Sequence, residues 1–163
     1  MIETAPVGWN EIVAYYTLPT RGPDGMVLPS WRATNLVTLP LPFALHLSWA
    51  DIQVTHATCH KKIVDPLLAA LHAVLSEGYA PFLSQDYGGC YMDRAIRGAA
   101  DHLSMHAFGA ALDFRVKEDP MGDNQPEPEM AEVAKIFKSF GWFWGGDFMS
   151  RKDPEHFQWA SGY

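Results

Sequence analysis

Two segments of the chain combine histidine with aspartate at spacings that could hold a metal ion. In the first, His106 comes shortly before a predicted strand, and Asp113 lies on the polar face of that strand. In the second, His156 lies on the polar face of another predicted strand. Two histidines and one aspartate form a nitrogen and oxygen ligand set that suits Zn²⁺. Three protein ligands leave a fourth position open for water, as in catalytic zinc sites.

Other residues that could do chemistry lack a motif around them. Cys59 and Cys90 do not form a CxxC pair, so we expect two reduced and buried thiols. No Gly-x-Ser-x-Gly sequence is present, which argues against a serine hydrolase of that type. Four further histidines are expected to be surface or hydrogen-bonded core residues: His46, His56, His60 and His72.

Apolar patterns predict the strands that must position the ligands. Residues 111–116 alternate apolar with other side chains, which indicates a half-buried strand, and residues 156–159 alternate in the same way, which indicates a last short strand. Residues 82–85 form a further short apolar run, and residues 33–58 contain such runs broken by prolines, so both indicate short strands. Residues 117–129 are polar and rich in turn-forming residues, which indicates a surface loop.

Apolar residues at helical spacing predict two amphipathic helices. The first covers about residues 60–77 and is followed by Gly78, and the second covers about residues 130–140 and ends at Gly141. Helices and strands come in blocks rather than in strict alternation. We therefore predict one α+β domain with a small antiparallel sheet and flanking helices.

Composition and charge exclude several classes of protein. With 163 residues, of which 48% are hydrophobic, the chain can bury a core and is not intrinsically disordered. The net charge of −7 lacks the basic footprint of a nucleic-acid binder or of a protein that adheres to anionic membranes. The N-terminus lacks the features of a signal peptide, and the most apolar stretch, residues 36–47, is too short to span a bilayer. We therefore expect a soluble protein made in the cytoplasm, with no membrane insertion.

Four motifs in order resemble one known family. They are residues 88–98, Ser104-x-His106-x-x-Gly109-x-Ala111-x-Asp113, Gly141-Trp142-x-Trp144-Gly145-Gly146 and Asp153-x-x-His156-Phe157. This order resembles the zinc-dependent D-alanyl-D-alanine carboxypeptidases and L-alanyl-D-glutamate endopeptidases, the VanX- and VanY-like M15 peptidases, which include many phage endolysins. The predicted single domain over residues 1–163 then has its zinc peptidase core, with a zinc site in the cleft, over residues 59–163. Residues 1–58 match no motif and are predicted to be irregular.

The resemblance implies a role for each matching residue. His106, Asp113 and His156 match the zinc ligands, Asp153 matches the general base, and Arg94 matches the arginine that polarises the substrate carbonyl.

Three further residues match positions near the substrate. Arg97 competes with Arg94 for the arginine role and is the one expected to be structural. Ser104 matches a position near the substrate, and a turn-forming hydroxyl is the alternative interpretation. Trp144 resembles a residue of the loop that lines the cleft.

The function implied is hydrolysis of peptidoglycan stem peptides by a metal-activated water. Asp rather than Glu at position 153 and the arginine segment favour the endolysin-like branch, hence an L-Ala-D-Glu endopeptidase over a D-Ala-D-Ala carboxypeptidase. We expect a monomer that reaches the cell wall after holin-type release. The alternatives are a non-catalytic zinc-containing binding module of the same fold, a cytoplasmic D-Ala-D-Ala dipeptidase and a metal-dependent hydrolase acting on a substrate outside the cell wall.

Overall fold

Small antiparallel sheets and short helices make up the part of the chain that the computed structural model describes, residues 4–96 and 99–162. The helices are α1 (Trp9–Tyr16), α2 (Pro29–Asn35), α3 (Val64–Ser76), α4 (Ala80–Leu83) and α5 (Pro128–Ser139). The strands are β1 (Leu36–His46), β2 (Gln53–His60), β3 (Ala95–Ile96), β4 (Ala99–Leu103), β5 (Ala111–Asp113), β6 (Phe143–Trp144) and β7 (His156–Gln158). The predicted α+β class is confirmed.

Strands β1 and β2 form a long hairpin that accommodates two prolines. Leu36 pairs with His60, and the register shifts between Pro40 and Leu45. Pro40 and Pro42 are tolerated because a two-stranded sheet leaves one edge of each strand unpaired, and proline lacks the N–H that an inner strand would need. The prediction of strands within residues 33–58 is confirmed, although β1 is longer than expected.

The sheet that carries the candidate site has the strand order β5-β7-β6. Its register places Asp113 directly opposite His156. On the other side of Asp113, Gly89 forms an isolated bridge with it, and a second bridge joins Leu47 to Tyr87. The segment around residues 87–89 therefore connects the β1–β2 hairpin to the site sheet.

Aromatic side chains pack between α5 and the sheet that carries the candidate site. The ring centroids of Phe137 and Phe157 are 4.5 Å apart, and those of Phe114 and Phe157 are 6.0 Å apart. Because side chains alternate along a strand, Phe157 points into this core while His156 and Gln158 point to the opposite face. The core thus orients the face of β7 that carries chemistry.

The predicted helices over residues 60–77 and 130–140 are confirmed as α3, preceded by a 3₁₀ turn, and α5. The apolar face of α3 is slightly narrower than predicted, since Leu75 is exposed. The loop predicted for residues 117–129 is confirmed up to the start of α5. No described helix is long and apolar enough to cross a membrane.

Three local predictions are wrong for physical reasons. Residues 82–85 do not form a strand, because the run belongs to the one-turn helix α4, and a short apolar run has no period that separates strand from helix. The strand predicted for residues 111–116 ends at Asp113, and Arg115 adopts a positive φ of 59°. The irregular structure predicted for residues 1–58 is replaced, within the described residues, by α1, α2 and the hairpin. These helices are too short to give a clear apolar period, since α1 buries only Ile12 and Tyr16.

Candidate active site

The structure brings together the three side chains predicted as metal ligands. His106 Nε2 lies 3.0 Å from Asp113 Oδ1, and His156 Nδ1 lies 2.9 Å from the same oxygen. The two ring nitrogens are 3.2 Å apart. All three residues are buried, so their polar atoms meet at one point with little water around them.

A capped 3₁₀ turn over Met105–Phe108 delivers His106 to this point. Ser104 begins the turn, and its hydroxyl accepts a hydrogen bond from the His106 amide at 3.3 Å. Gly109 ends the turn with a φ of 68°, and a Cβ there would lie 2.7 Å from Leu36 Cδ2. Glycine is therefore required both by the backbone conformation and by the close approach of the hairpin.

Hydrogen bonds on the far side of each ring fix which nitrogen carries the proton. His106 Nδ1 donates to the Cys90 carbonyl oxygen at 2.7 Å, which leaves Nε2 with a lone pair. The Gln158 side-chain N–H donates to Ala160 O at 3.0 Å, so Gln158 Oε1 is the atom that faces His156. His156 Nε2 donates to that oxygen at 2.9 Å, which leaves Nδ1 with a lone pair.

This donor set fits a zinc ion. In neutral rings, the two lone pairs and the Asp113 oxygen are all acceptors with no hydrogen between them, and a cation bound between the three atoms would satisfy all of them. Tetrahedral zinc with ligand bonds of about 2.0–2.1 Å would hold its ligand atoms about 3.3 Å apart. The observed separations of 2.9–3.2 Å are close to that value. A partner on the second nitrogen of each ring is also the usual arrangement around metal-binding histidines.

The electrostatics of the site favour an ionised carboxylate. Burial on its own would raise the pKa of Asp113, but the charges and hydrogen bonds of His106 and His156 hold that pKa below its ordinary value. Burial lowers the pKa of His106, and the carboxylate opposes this only in part. Burial also acts to lower the pKa of His156, but hydrogen bonding and charge from Asp113, with the charge of Asp153, raise it.

Asp153 lies three residues before His156, in a tight turn that packs against it. Its backbone carbonyl accepts from the His156 amide at 3.0 Å, and its own amide donates to Gly145 O at 3.0 Å. A Cβ at Gly145 would collide with the Asp153 carbonyl oxygen and lie 3.1 Å from His156 Cβ. Gly145 therefore allows the chain carrying Asp153 to pack against the β6 end.

A cleft of about 630 Å³ opens above these residues. Polar and charged side chains occupy part of its wall, and Phe143 and Phe148 stack at 5.7 Å to form an apolar part. Among the residues lining it are Arg94, Ser104, Asp153, His156 and Gln158. The cleft thus brings together one residue of the candidate metal site, His156, with a carboxylate and a guanidinium.

The remaining predicted site residues have different outcomes. Ser104 both lines the cleft and caps the turn, so its two interpretations coexist. Trp144 is not among the residues that line this cleft, and its predicted substrate contact stays a prediction. Its indole N–H donates to Pro154 O at 2.8 Å, and its ring packs over Gly146, where any Cβ would collide with it. Arg97 lies outside the described residues.

Sequence reasoning missed Gln158 as part of the site. The sequence feature that could have identified Gln158 is its position two residues after His156 on the same strand, which places both side chains on one face. The sequence could not predict the hydrogen bond from His106 to the Cys90 carbonyl oxygen, because every residue type has a backbone carbonyl.

Buried residues outside the site behave as the sequence predicted. Cys59 and Cys90 are free and buried, and burial raises the pKa of the Cys59 thiol to about 12, which makes it a poor nucleophile at neutral pH. His60 caps the turn before α3, and burial lowers its pKa to about 4. It is therefore a hydrogen-bonded core histidine.

Comparisons with known proteins agree with this chemistry. Residues 97–159 match a family model described as D-alanyl-D-alanine carboxypeptidase. The chain is 27% identical over 143 residues to the peptidoglycan L-alanyl-D-glutamate endopeptidase CwlK of Bacillus subtilis (strain 168), a match that covers 78% of this chain and 81% of the relative. No solved structure gives a significant match. The family match contains His106, Asp113, Asp153 and His156, and with the relative it shows that the chain is similar to peptidases of the M15 family.

Proposed function

We propose that the protein is a zinc-dependent endopeptidase that cleaves the L-Ala-D-Glu bond of peptidoglycan stem peptides. The observation that carries the proposal is the meeting of three metal-ligating atoms beside a cleft whose lining includes His156, Asp153 and Arg94. The substrate class follows the activity named for the Bacillus subtilis relative.

His106, Asp113 and His156 would hold the ion. When bound, Zn²⁺ supplies a Lewis acid for the peptide carbonyl and lowers the pKa of water toward about 7. The two neutral rings and the buried carboxylate fix a position for the ion before substrate arrives. Their outer hydrogen bonds to Cys90 O and Gln158 keep the rings from rotating away.

Asp153 moves the proton. Its carboxylate accepts a proton from the attacking water as the water oxygen bonds to the peptide carbonyl carbon, and it returns that proton to the amine nitrogen when the C–N bond breaks. Glu155 is the neighbouring acid, but it does not line the cleft. Asp153 is therefore the acid that we assign to this role.

Arg94 stabilises the charge that develops on the carbonyl oxygen. Arg94 lines the cleft, and its backbone carbonyl accepts a hydrogen bond at 3.2 Å from Ser104, which begins the turn carrying His106. A guanidinium held at this place gains most when the oxygen becomes negative, so it lowers the barrier more than it tightens substrate binding.

The second candidate is a D-Ala-D-Ala carboxypeptidase, which the description of the family model favours. Digestion of purified sacculi followed by mass spectrometry separates the candidates. An endopeptidase releases stem peptides that lack L-Ala, and a carboxypeptidase releases free D-Ala. Sacculi that release neither product would contradict both candidates and favour a non-catalytic binding module.

A further inference from the structure

The Asp93 carboxylate, next to Arg94 in sequence, is held by the N-terminal part of the chain. Arg21 Nη2 lies 2.6 Å from Asp93 Oδ1, and the Val27 amide donates to Asp93 Oδ2 at 2.6 Å. The Asp93 side chain is only 9% exposed, so both oxygens are largely withdrawn from water. An ion pair braced by a second hydrogen bond in such a setting is more rigid than an ordinary surface pair.

The N-terminal partner is itself a preformed structure, the 20–28 turn. The Gly22 amide donates to Met26 O at 2.8 Å, and the Leu28 amide donates to Thr20 O at 2.8 Å. The Arg21 guanidinium also donates to Gly25 O within the turn. The turn therefore presents a fixed guanidinium to Asp93.

Backbone hydrogen bonds hold the same short segment from the metal-ligand side. The Met92 amide donates to His106 O at 3.0 Å, and the Ser104 amide donates to Arg94 O at 3.2 Å. The segment of residues 92–94 is thus fixed between the 20–28 turn and the turn that carries His106. Arg94, at its end, points a side chain into the cleft wall.

We propose that the 20–28 turn is part of the active site, with Arg21 as a positioning residue that acts through Asp93 on Arg94. The inference rests on the role given to Arg94 under the proposed function. A guanidinium stabilises a developing charge only if it is held at the correct distance, and small displacements of a positioned group cost large factors in rate. In this way the 20–28 turn, which carries no recognisable motif, contributes to catalysis.

A double-mutant cycle on hydrolysis of a soluble stem peptide tests the inference. We expect Arg21→Ala to lower kcat about 3- to 10-fold with little change in KM, and Arg94→Ala to lower kcat about 10²- to 10³-fold. In the Arg94→Ala background, adding Arg21→Ala should change kcat less than about twofold, since the positioned group is gone. Zinc content and melting temperature are measured for every variant.

Matched variants separate positioning from general stability. Lys135→Ala removes the ion pair between Lys135 and Glu132 on α5, whose length of 2.7 Å is similar to that of the Arg21–Asp93 pair. This variant should leave kcat unchanged. Arg21→Lys keeps the charge and should restore part of the lost kcat. Asp93→Asn keeps the shape of the side chain but faces Arg21 with an amide, and should reproduce Arg21→Ala.

The outcomes distinguish this inference from the function on which it rests. Effects of Arg21→Ala and Arg94→Ala that multiply in the double variant would overturn the inference alone. A wild-type chain that cleaves no stem peptide would overturn the proposed function and this inference with it. An Arg94→Ala variant with unchanged kcat would overturn the role given to Arg94 and this inference, while the proposed substrate would stand.

Discussion

The two segments that hold the histidines differ in how they are fixed. The turn segment, residues 104–113, places His106 with backbone interactions, namely the Cys90 carbonyl on its ring and the capped turn around it. The strand segment, residues 144–158, places His156 with side chains and small residues, namely Gln158 on its ring and Gly145 behind it. The strand segment also carries Asp153, the acid proposed to move protons. The turn segment therefore depends on backbone contacts that side-chain substitution leaves in place, whereas the strand segment depends on a side chain that substitution removes.

Loss of a ligand from the turn segment should have the largest effect. We expect His106→Ala to abolish zinc retention and peptide hydrolysis, because two remaining ligands cannot hold the ion against dialysis. Elemental analysis after dialysis and a hydrolysis assay measure both. His72→Ala, on the exposed face of α3, is the control and should retain zinc and activity. Zinc retained at one equivalent by His106→Ala would remove the turn segment from the metal site.

Loss of the acid from the strand segment should separate chemistry from metal binding. Asp153→Asn should keep zinc and the fold but lower the hydrolysis rate about 10²- to 10⁴-fold, the usual contribution of a general base. Glu155→Gln is the control and should cost less than about tenfold, equal to about 1.4 kcal/mol of barrier. If Glu155→Gln were the inactive variant and Asp153→Asn the active one, the assignment of the base would be wrong.

Removing the hydrogen bond behind His156 should weaken metal binding without abolishing it. Gln158→Leu takes away the acceptor that fixes the ring, and we expect zinc affinity to fall about 10- to 100-fold. Gln158→Glu keeps an acceptor and should hold zinc at least as tightly as the wild type. Competition with a metallochromic chelator measures both affinities. Equal affinities in the Leu and Glu variants would show that the ring of His156 is fixed by something else.

The smallest effect should come from loss of the hydrogen bond that the Trp144 indole donates within the strand segment. Trp144→Phe removes the hydrogen bond to Pro154 O and should lower the free energy of unfolding by about 0.5–1.5 kcal/mol. Trp49→Phe, at a position that is 66% exposed, should change it by less than about 0.5 kcal/mol. Denaturant titration compares the two. A rate loss above about tenfold in Trp144→Phe with unchanged stability would instead support the substrate contact that the sequence suggested.

The sequence predicts contacts within one segment better than the contact between the two segments. His106 and Asp113 lie seven residues apart, so a turn and one strand bring them together, and the alternation of β7 predicts which face carries His156. The same alternation places Gln158 on the face of β7 that carries His156. The pairing of Asp113 with His156 depends on strand register, which only the motif order could suggest.

Long-range contacts set the limit of prediction from this sequence. Arg21 and Asp93 are 72 residues apart, and neither belongs to a period or a local motif that marks the other as its partner. The short helix α1 buries too few residues to show a pattern. Trp144 is a case of the opposite kind, since its motif was recognisable but its contact with Pro154 depends on how the turn folds back.

The most direct test of the account is the metal content of active protein. Purified protein should be stripped with a chelator, reloaded with Zn²⁺, and assayed for bound metal, melting temperature and release of peptides from sacculi. We expect one equivalent of zinc per chain, a melting temperature that rises on reloading because the ion binds the folded site, and activity that returns in proportion to bound zinc. Full activity in protein free of any transition metal would contradict the account.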